Sequence, residues 1–248
     1  MADIERLQRF LRAAPVAGRD VVTVPPFTIY FDPHDSLRYL NYAIPDDGAD
    51  PTSAEIDALR QAFRARERLP RLEWVEEAAP HVAAALGGAG FEEELRTPLM
   101  ACGLDELREP LTDVDPLTVR VVEGASDERD ATNLQRVAFG GAALADDEEP
   151  RGGGGRMVLA RSGSTAVAAA SWTAVEDGFS EVVGVATAGP WRRRGLAGVV
   201  TAAAARAAFA AGASTCILSP GDEGAMRVYA RAGFRRVATM LHWSAPSG

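Results

Sequence analysis

Lysine is absent from this sequence, and all 26 basic side chains are arginines. A Schiff base or a lysine nucleophile is thereby excluded, because a guanidinium stays protonated at any pH a folded protein tolerates. Cysteine is nearly absent. Cys102 and Cys216 are the two in 248 residues, each beside apolar neighbours and without zinc or dithiol spacing. So few thiols suit a reducing compartment, and a cytoplasmic protein is expected. The three histidines, His34, His81 and His242, lie far apart without metal-ligand spacing, so no metal is expected. No apolar run reaches the roughly 18 residues of a membrane span. The N-terminus MADIERLQRFLRAAP reads as an amphipathic helix with Ile4, Leu7 and Leu11 on one face and acids in its first turn. It is not a basic region leading into an apolar stretch, so neither signal peptide nor membrane partner is expected. An excess of positive charge is missing as well. The formal charge is −9, which argues against a nucleic-acid partner, since that needs a basic surface to displace counterions from phosphates.

What the chain does have is apolar surface and an uneven charge. Hydrophobic residues make up 47% and charged residues 25%, the balance of a globular protein. Its 248 residues suit one large domain or two of about 110 to 130, and two compact halves are expected. Residues 1–112 hold 12 Arg against 20 acids, whereas Val185 to Gly248 hold 8 Arg against 2. An acidic protein thus ends in a locally basic segment, suited to a small anionic ligand. The segment LDELREPLTDVDP, with Pro110 and Pro116 among acids and Pro98 just upstream, marks the linker between domains at 1–112 and 113–248.

Residues 21–31 and 36–44 read as two strands of a hairpin separated by DPHD. PTSAEIDALRQAFRARERL is a helix with a Ser/Thr cap, Ile56, Leu59 and Phe63 on one face, and a stop at Pro70. A short strand, RLEWVEEA, a short helix ending in glycines, and the strand FEEELRTPLMAC follow. Past the linker come a strand, a helix capped near Ser126, the exposed loop DDEEPRGGGG, and three strands. The last third runs helix 194–211, strand 214–219, helix 222–232 and strand 234–243. The succession of strand, helix and Gly-Phe opening a further strand occurs at LEWVEEAAPHVAAALGGAGFEEEL and again at STCILSPGDEGAMRVYARAGFRRVATML, an internal echo.

The chemistry concentrates in VVGVATAGPWRRRGLAGVVTAAAARAAFAAG, an apolar strand, an arginine-rich loop and an Ala-rich helix, with Arg192-x-x-Gly195-x-Ala197 at the junction. At a helix start the first backbone N–H groups are unpaired and the dipole is positive, while Gly195 and Ala197 let a ligand approach the backbone closely. A diphosphate is the expected occupant, with Arg192, Arg193 and Arg194 adding positive charge. About 30 residues on stands Ala225-Met226-Arg227-Val228-Tyr229-Ala230-Arg231-Ala232-Gly233-Phe234, between two strands.

These paired motifs resemble the GNAT acetyltransferase superfamily over about residues 117–243. The resemblance implies an α/β (α+β) fold with a mixed, mostly antiparallel central sheet flanked by helices, here in two similar halves. It implies that Val185, Ala186 and Thr187 lie on a strand splayed from its neighbour and pair their backbone with the pantetheine of acetyl-CoA, an N–H serving as oxyanion donor. It implies that Arg192 and the backbone N–H groups of Arg193, Arg194, Gly195, Leu196, Ala197 and Gly198 hold the pyrophosphate. Tyr229 is the expected general acid for the departing thiolate, although a Tyr on a buried helix stripe is as a rule core. Glu181, at the start of the same strand, is the candidate general base, although a strand-end Glu is usually solvated. Asp222 stands where the family has Asn and is taken as a pantetheine contact.

The implied activity is an acyl-CoA-dependent N-acyltransferase moving acetyl to a small-molecule or protein amine by direct attack in a ternary complex. The alternative is a noncatalytic acyl-CoA-binding regulatory module, and a homodimer is one oligomeric option. In the internal echo Gly90 aligns with Gly233 and Leu86 with Tyr229, so the N-terminal half lacks the acid. It also lacks an Arg-x-x-Gly-x-Ala loop. It is expected to be a degenerate partner domain that walls one side of the acceptor cleft, its net negative charge suiting a cationic acceptor.

Overall fold

The computed structural model describes residues 4–14, 18–150 and 156–246. Of the loop expected at 146–155, residues 151–155 lie outside the described ones. The chain divides into two compact units, Met1–Leu99 with Val237–Gly248, and Met100–Arg236. The packing therefore divides inside two strands and not at the proline-rich linker.

The first unit runs α1 (Ile4–Ala13), β1 (Asp20–Val24), β2 (Phe27–Phe31), β3 (Tyr42–Pro45), α2 (Ser53–Arg64), β4 (Arg71–Val75), α3 (Val82–Gly88) and the start of β5 (Glu92–Gly103). The run 21–31, expected as one strand, is two. β1 and β2 pair antiparallel with Val24 opposite Phe27, and the chain reverses at Pro25-Pro26. Two adjacent prolines have no N–H to give a ladder, so they fall at the turn. The hairpin expected with residues 36–44 is instead β2 against β3, Phe27 opposite Pro45. A 3-10 turn at Arg38–Leu40 takes the middle of that run, and β3 covers only Tyr42–Pro45. On α2 the expected face, Ile56, Leu59 and Phe63, is buried. It packs on Phe27, Ile29, Phe31, Leu72 and Trp74, with the Phe31 and Phe63 rings edge to face at 5.1 Å.

The second unit runs from the end of β5 through β6 (Thr118–Val121), α4 (Ala125–Ala138), β7 (Met157–Ser162), β8 (Thr165–Trp172), β9 (Phe179–Thr187), α5 (Leu196–Ala210), β10 (Thr215–Leu218) and α6 (Glu223–Arg231). The N-cap of α4 is Gly124, two residues before Ser126. β6, β7, β8 and β9 form antiparallel neighbours, and β10 joins parallel to β9. Two layers of helix cover this sheet. Ala131 of α4 packs on Met157, Leu159 and Ala169. On the opposite face Leu196, Val200, Ala204 and Ala208 of α5 meet Val158, Ala160, Ala168 and Ala170. Small residues on both sides let the α5 backbone lie close to the strands, and eight of the 15 residues of this Ala-rich helix are buried.

The order helix, two antiparallel strands, a third strand, helix, a fourth strand parallel to the third, and helix recurs in the two units. β3 and β4 pair parallel in the first, β9 and β10 in the second. Each fourth strand then takes an antiparallel neighbour from the other half of the sequence. β4 pairs with β11 (Arg235–Ser244), Leu72 opposite Trp243, while β10 pairs with the end of β5, Cys216 opposite Cys102. The echo read in the sequence is also geometric. α3 and α6 end alike, with Phe91 N–H donating to Leu86 O at 3.0 Å and Phe234 N–H to Tyr229 O at 3.1 Å. Gly90 and Gly233 supply the positive φ, +80° and +103°, that this closure requires. Among the described residues no helix is long and apolar enough to cross a membrane.

Candidate functional site

β9 and β10 pair over three rungs, Thr215 with Phe179, Cys216 with Ser180 and Ile217 with Glu181. Beyond Glu181 the register with β10 ends, and β9 continues to Thr187 alongside β8 alone. β10 ends at Leu218, just ahead of Pro220-Gly221. Among the described residues no strand pairs with the β9 edge that carries Val185, Ala186 and Thr187, where Arg192 Nε donates to Thr187 O at 3.4 Å. The register with β8 shifts between Ala169 and Ser171, opposite Gly184, which has φ +62°. Gln135 of α4 secures this bulge by donating to Gly184 O and Ser171 Oγ, both at 2.8 Å. Sequence reasoning missed Gln135; a glycine inside a strand pattern was the available signal for the bulge.

Opposed residues on antiparallel strands share a face. Val182 opposite Trp172 and Thr187 opposite Ala168 therefore lie on the α5 side of the sheet. Tyr229 of α6 is buried in that same cluster with Val182 and Leu218, the residues just past the last rung on each strand. Glu181 alternates with Val182 and stands on the α4 side, half-buried, its N–H donating to Thr173 Oγ1 at 2.9 Å. The candidate acid and base thus flank the gap from opposite faces. Burial, assisted by the charge of Asp222, pushes the Tyr229 hydroxyl up to about 12, so it stays protonated throughout the neutral range. Asp222 is the N-cap of α6 and accepts from Ala225 N–H at 2.7 Å. Asp and Asn serve this capping position equally well, which accounts for the departure from the family's Asn.

Past this edge the chain makes a 3-10 turn at Gly189–Trp191 and enters a tight loop, with Arg193 at φ +63° and Gly195 at φ +85°. The first helical bond of α5 is Val199 N–H to Gly195 O at 3.2 Å, and no side chain caps the helix. The N–H groups of Leu196, Ala197 and Gly198 are therefore directed out of a helix start, the geometry that binds phosphate oxygens. Two expectations about this loop change. A Cβ at Gly195 would overlap the carbonyl oxygen of Leu111, so this glycine makes room for the linker rather than for a ligand. Arg194 is not a free cation: its Nε donates to Asp113 Oδ1 at 2.9 Å and its guanidinium lies 5.0 Å over the Trp191 ring. Arg192 and Arg193 are exposed beside the loop.

The first unit treats the matching positions differently. α2 starts with a complete capping box: Thr52 Oγ1 accepts from Glu55 N–H at 3.4 Å and the Glu55 carboxylate accepts from Thr52 N–H at 2.7 Å. A carboxylate already holds that helix start, and Asp46, Asp47 and Asp50 precede it. The fully buried amide of Gln8 bridges β3 and β4, donating to Pro45 O at 3.1 Å and accepting from Val75 N–H at 3.0 Å. Leu86 stands where the second unit has Tyr229.

His242 approaches Arg71 at 3.2 Å and Glu73 at 3.5 Å in a structural ion cluster. Burial raises both thiols, Cys102 to about 11 and Cys216 to about 12, which leaves them unreactive at neutral pH. Among the described residues no group of three His, Cys, Asp or Glu is placed to hold a metal.

Residues 127–234 match the model of the Acetyltransferase (GNAT) family. A GCN5-related N-acetyltransferase from Kribbella flavida superposes with a TM-score of 0.84 at 32% identity, over 100% of this chain and 97% of that one. A second, from Sphaerobacter thermophilus, shares the fold with a TM-score of 0.65 at 16% identity, over 90% of this chain and 78% of that one. A tandem GNAT protein from the clavulanic acid biosynthesis pathway does so with a TM-score of 0.60 at 12% identity, over 100% and 90%. No curated protein matches the chain closely enough to count as a relative.

Proposed function

From the premise that this chain belongs to the GNAT acetyltransferase family, we propose that it transfers acetyl from acetyl-CoA to an amine, in one site located in the second unit. The observation that carries this reading is the parting of β9 from β10 after Glu181 and Ile217, followed directly by an uncapped helix start. An open strand edge suits the amides of a pantetheine arm, and the outward N–H groups of Leu196, Ala197 and Gly198 suit a diphosphate. The two lie in the order in which such a molecule presents them.

In this reading the β9 backbone from Val185 to Thr187 aligns the thioester and donates an N–H to its oxygen as negative charge develops there. Glu181, acting directly or through water, takes the proton of the attacking amine. The nitrogen then bonds to the carbonyl carbon, the C–S bond breaks, and Tyr229 delivers its proton to the departing sulfur. No covalent enzyme intermediate is needed. Arg192 and Arg193 supply charge beside the loop. Arg194, tied to Asp113, contributes its backbone.

We assign the first unit as a degenerate relative of the second that holds no acyl-CoA. In place of an open edge and a bare helix start it has the Gln8 bridge and the Thr52 capping box. The experiment is a calorimetric titration with acetyl-CoA, joined to thiol release with a panel of primary amines, for wild type and Tyr229→Phe. One site per chain is expected. Tyr229→Phe should bind with unchanged affinity and lose about 10²- to 10⁴-fold in turnover. A variant with full turnover removes Tyr229 from the mechanism. Wild-type protein that binds but turns over no acceptor favours the regulatory module, and no binding overturns the proposal.

A further inference from the structure

The segment between the two sequence halves runs beside the start of α5. Glu109 forms an ion pair with Arg206 on that helix. The Pro110 ring fills the space a side chain at Gly198 would take, its Cβ and Cγ lying 2.9 and 3.0 Å from that position. Leu111 places its carbonyl oxygen against Gly195. Thr112 Oγ1 donates to Arg194 O at 2.7 Å and accepts from Val114 N–H at 3.3 Å. Asp113 receives the Arg194 guanidinium through its Oδ1 and, at 3.4 Å, its backbone oxygen. Five consecutive residues of an apparent spacer thus each contact α5 or the loop that leads into it.

We propose that this linker is a working part of the cofactor site, with Thr112 as its principal positioning residue; the inference rests on the acyl-CoA site proposed above. The loop at 192–195 holds one non-glycine residue, Arg193, at φ +63°. Such a conformation costs free energy and persists only where its surroundings impose it. The hydroxyl of Thr112 fixes the carbonyl of Arg194, and Asp113 and Trp191 fix its side chain. The peptide that joins Arg194 to Gly195 therefore keeps its orientation in the free protein, and the outward N–H groups are arranged before a diphosphate arrives. Ordering that would otherwise be paid on binding is already in place.

Thr112→Val keeps the shape of the side chain and removes only the hydroxyl, while Thr112→Ser keeps the hydroxyl. Each is titrated with acetyl-CoA and with S-acetylpantetheine, which has the thioester arm but no diphosphate, and each is melted as a control of folding. For Thr112→Val about a 10-fold weaker affinity for acetyl-CoA is expected, with S-acetylpantetheine affinity unchanged and Thr112→Ser restored to within about 2-fold of wild type. Asp113→Asn is expected to weaken acetyl-CoA about 3-fold. Equal weakening of the two ligands by Thr112→Val would show a general structural role and overturn the inference. So would wild-type affinity in both Thr112→Val and Asp113→Asn. These outcomes leave the acyl-CoA reading standing, because wild type still binds; wild type that fails to bind acetyl-CoA overturns both.

Discussion

Replacing Gly195 by alanine tests the account of the loop without any ligand. A Cβ at φ +85° places the residue in the left-handed region, at about 1 to 2 kcal/mol for a non-glycine residue. The same Cβ would overlap the Leu111 carbonyl oxygen. That neighbour is backbone, pinned on either side by the Pro110 contact with Gly198 and the Thr112 bond to Arg194, so it cannot rotate away as a flexible side chain would. Overpacking of this kind adds about 1 to 3 kcal/mol, for a total of about 2 to 5 kcal/mol. For a domain of this size the melting temperature should fall by roughly 5 to 15 °C. The control lies in the same loop: Gly189 has open space around its Cβ position and no positive φ, so Gly189→Ala should melt within about 2 °C of wild type. Differential scanning calorimetry of both apo variants decides the matter. A Gly195→Ala protein that melts with wild type, or a Gly189→Ala protein that falls as far, would refute the claim that the linker backbone dictates glycine at 195.

Two further outcomes concern the first unit. Gln8→Leu removes the partner of Val75 N–H while Pro45 O keeps Arg12 at 3.2 Å, so a loss of about 1 to 3 kcal/mol in urea unfolding is expected from one orphaned donor. The Glu73 carboxyl would be raised by its burial, but hydrogen bonding and charge from His242 and Arg71 outweigh this and hold it at about 2. Its stabilisation is therefore present above about pH 4.5 and is lost as pH falls toward 2, a change of about 3 kcal/mol. Urea unfolding midpoints across that window should steepen for wild type and flatten for Glu73→Gln.

Where local chemistry dictates structure, the sequence was legible. The Ser/Thr cap and the Ile56, Leu59 and Phe63 face announced α2, and Arg192-x-x-Gly195-x-Ala197 announced the start of α5. The Tyr229 to Gly233 spacing announced the end of α6. Pro25-Pro26 was misread because the apolar run around it continued on both sides, although two missing donors already argued for a turn. Gln8 drew no reading, since nothing near it in sequence indicates the strands its amide bridges. The reason for Gly195 was not visible: it read as room for a ligand, but the carbonyl that crowds it comes from more than 80 residues upstream. The strand exchange was hidden for a similar reason. β5 and β11 open alike on Gly-Phe, and neither carries a local mark of which strand it will pair with.

That exchange has a consequence for the order in which the chain folds as it leaves the ribosome. The second unit, 100–236, is one continuous stretch of chain and has all its parts once Arg236 emerges. The first unit waits for Val237 to Ser244 before Leu72 meets Trp243 and the Trp74 ring gains its neighbour at 6.5 Å. Until then the β4 edge is bare, the kind of strand edge that recruits the wrong partner. A frameshift or nonsense codon after Arg236 would spare every residue assigned to the acyl-CoA site, yet its product would fail through the first unit, whose strands β1 to β4 are made before that site.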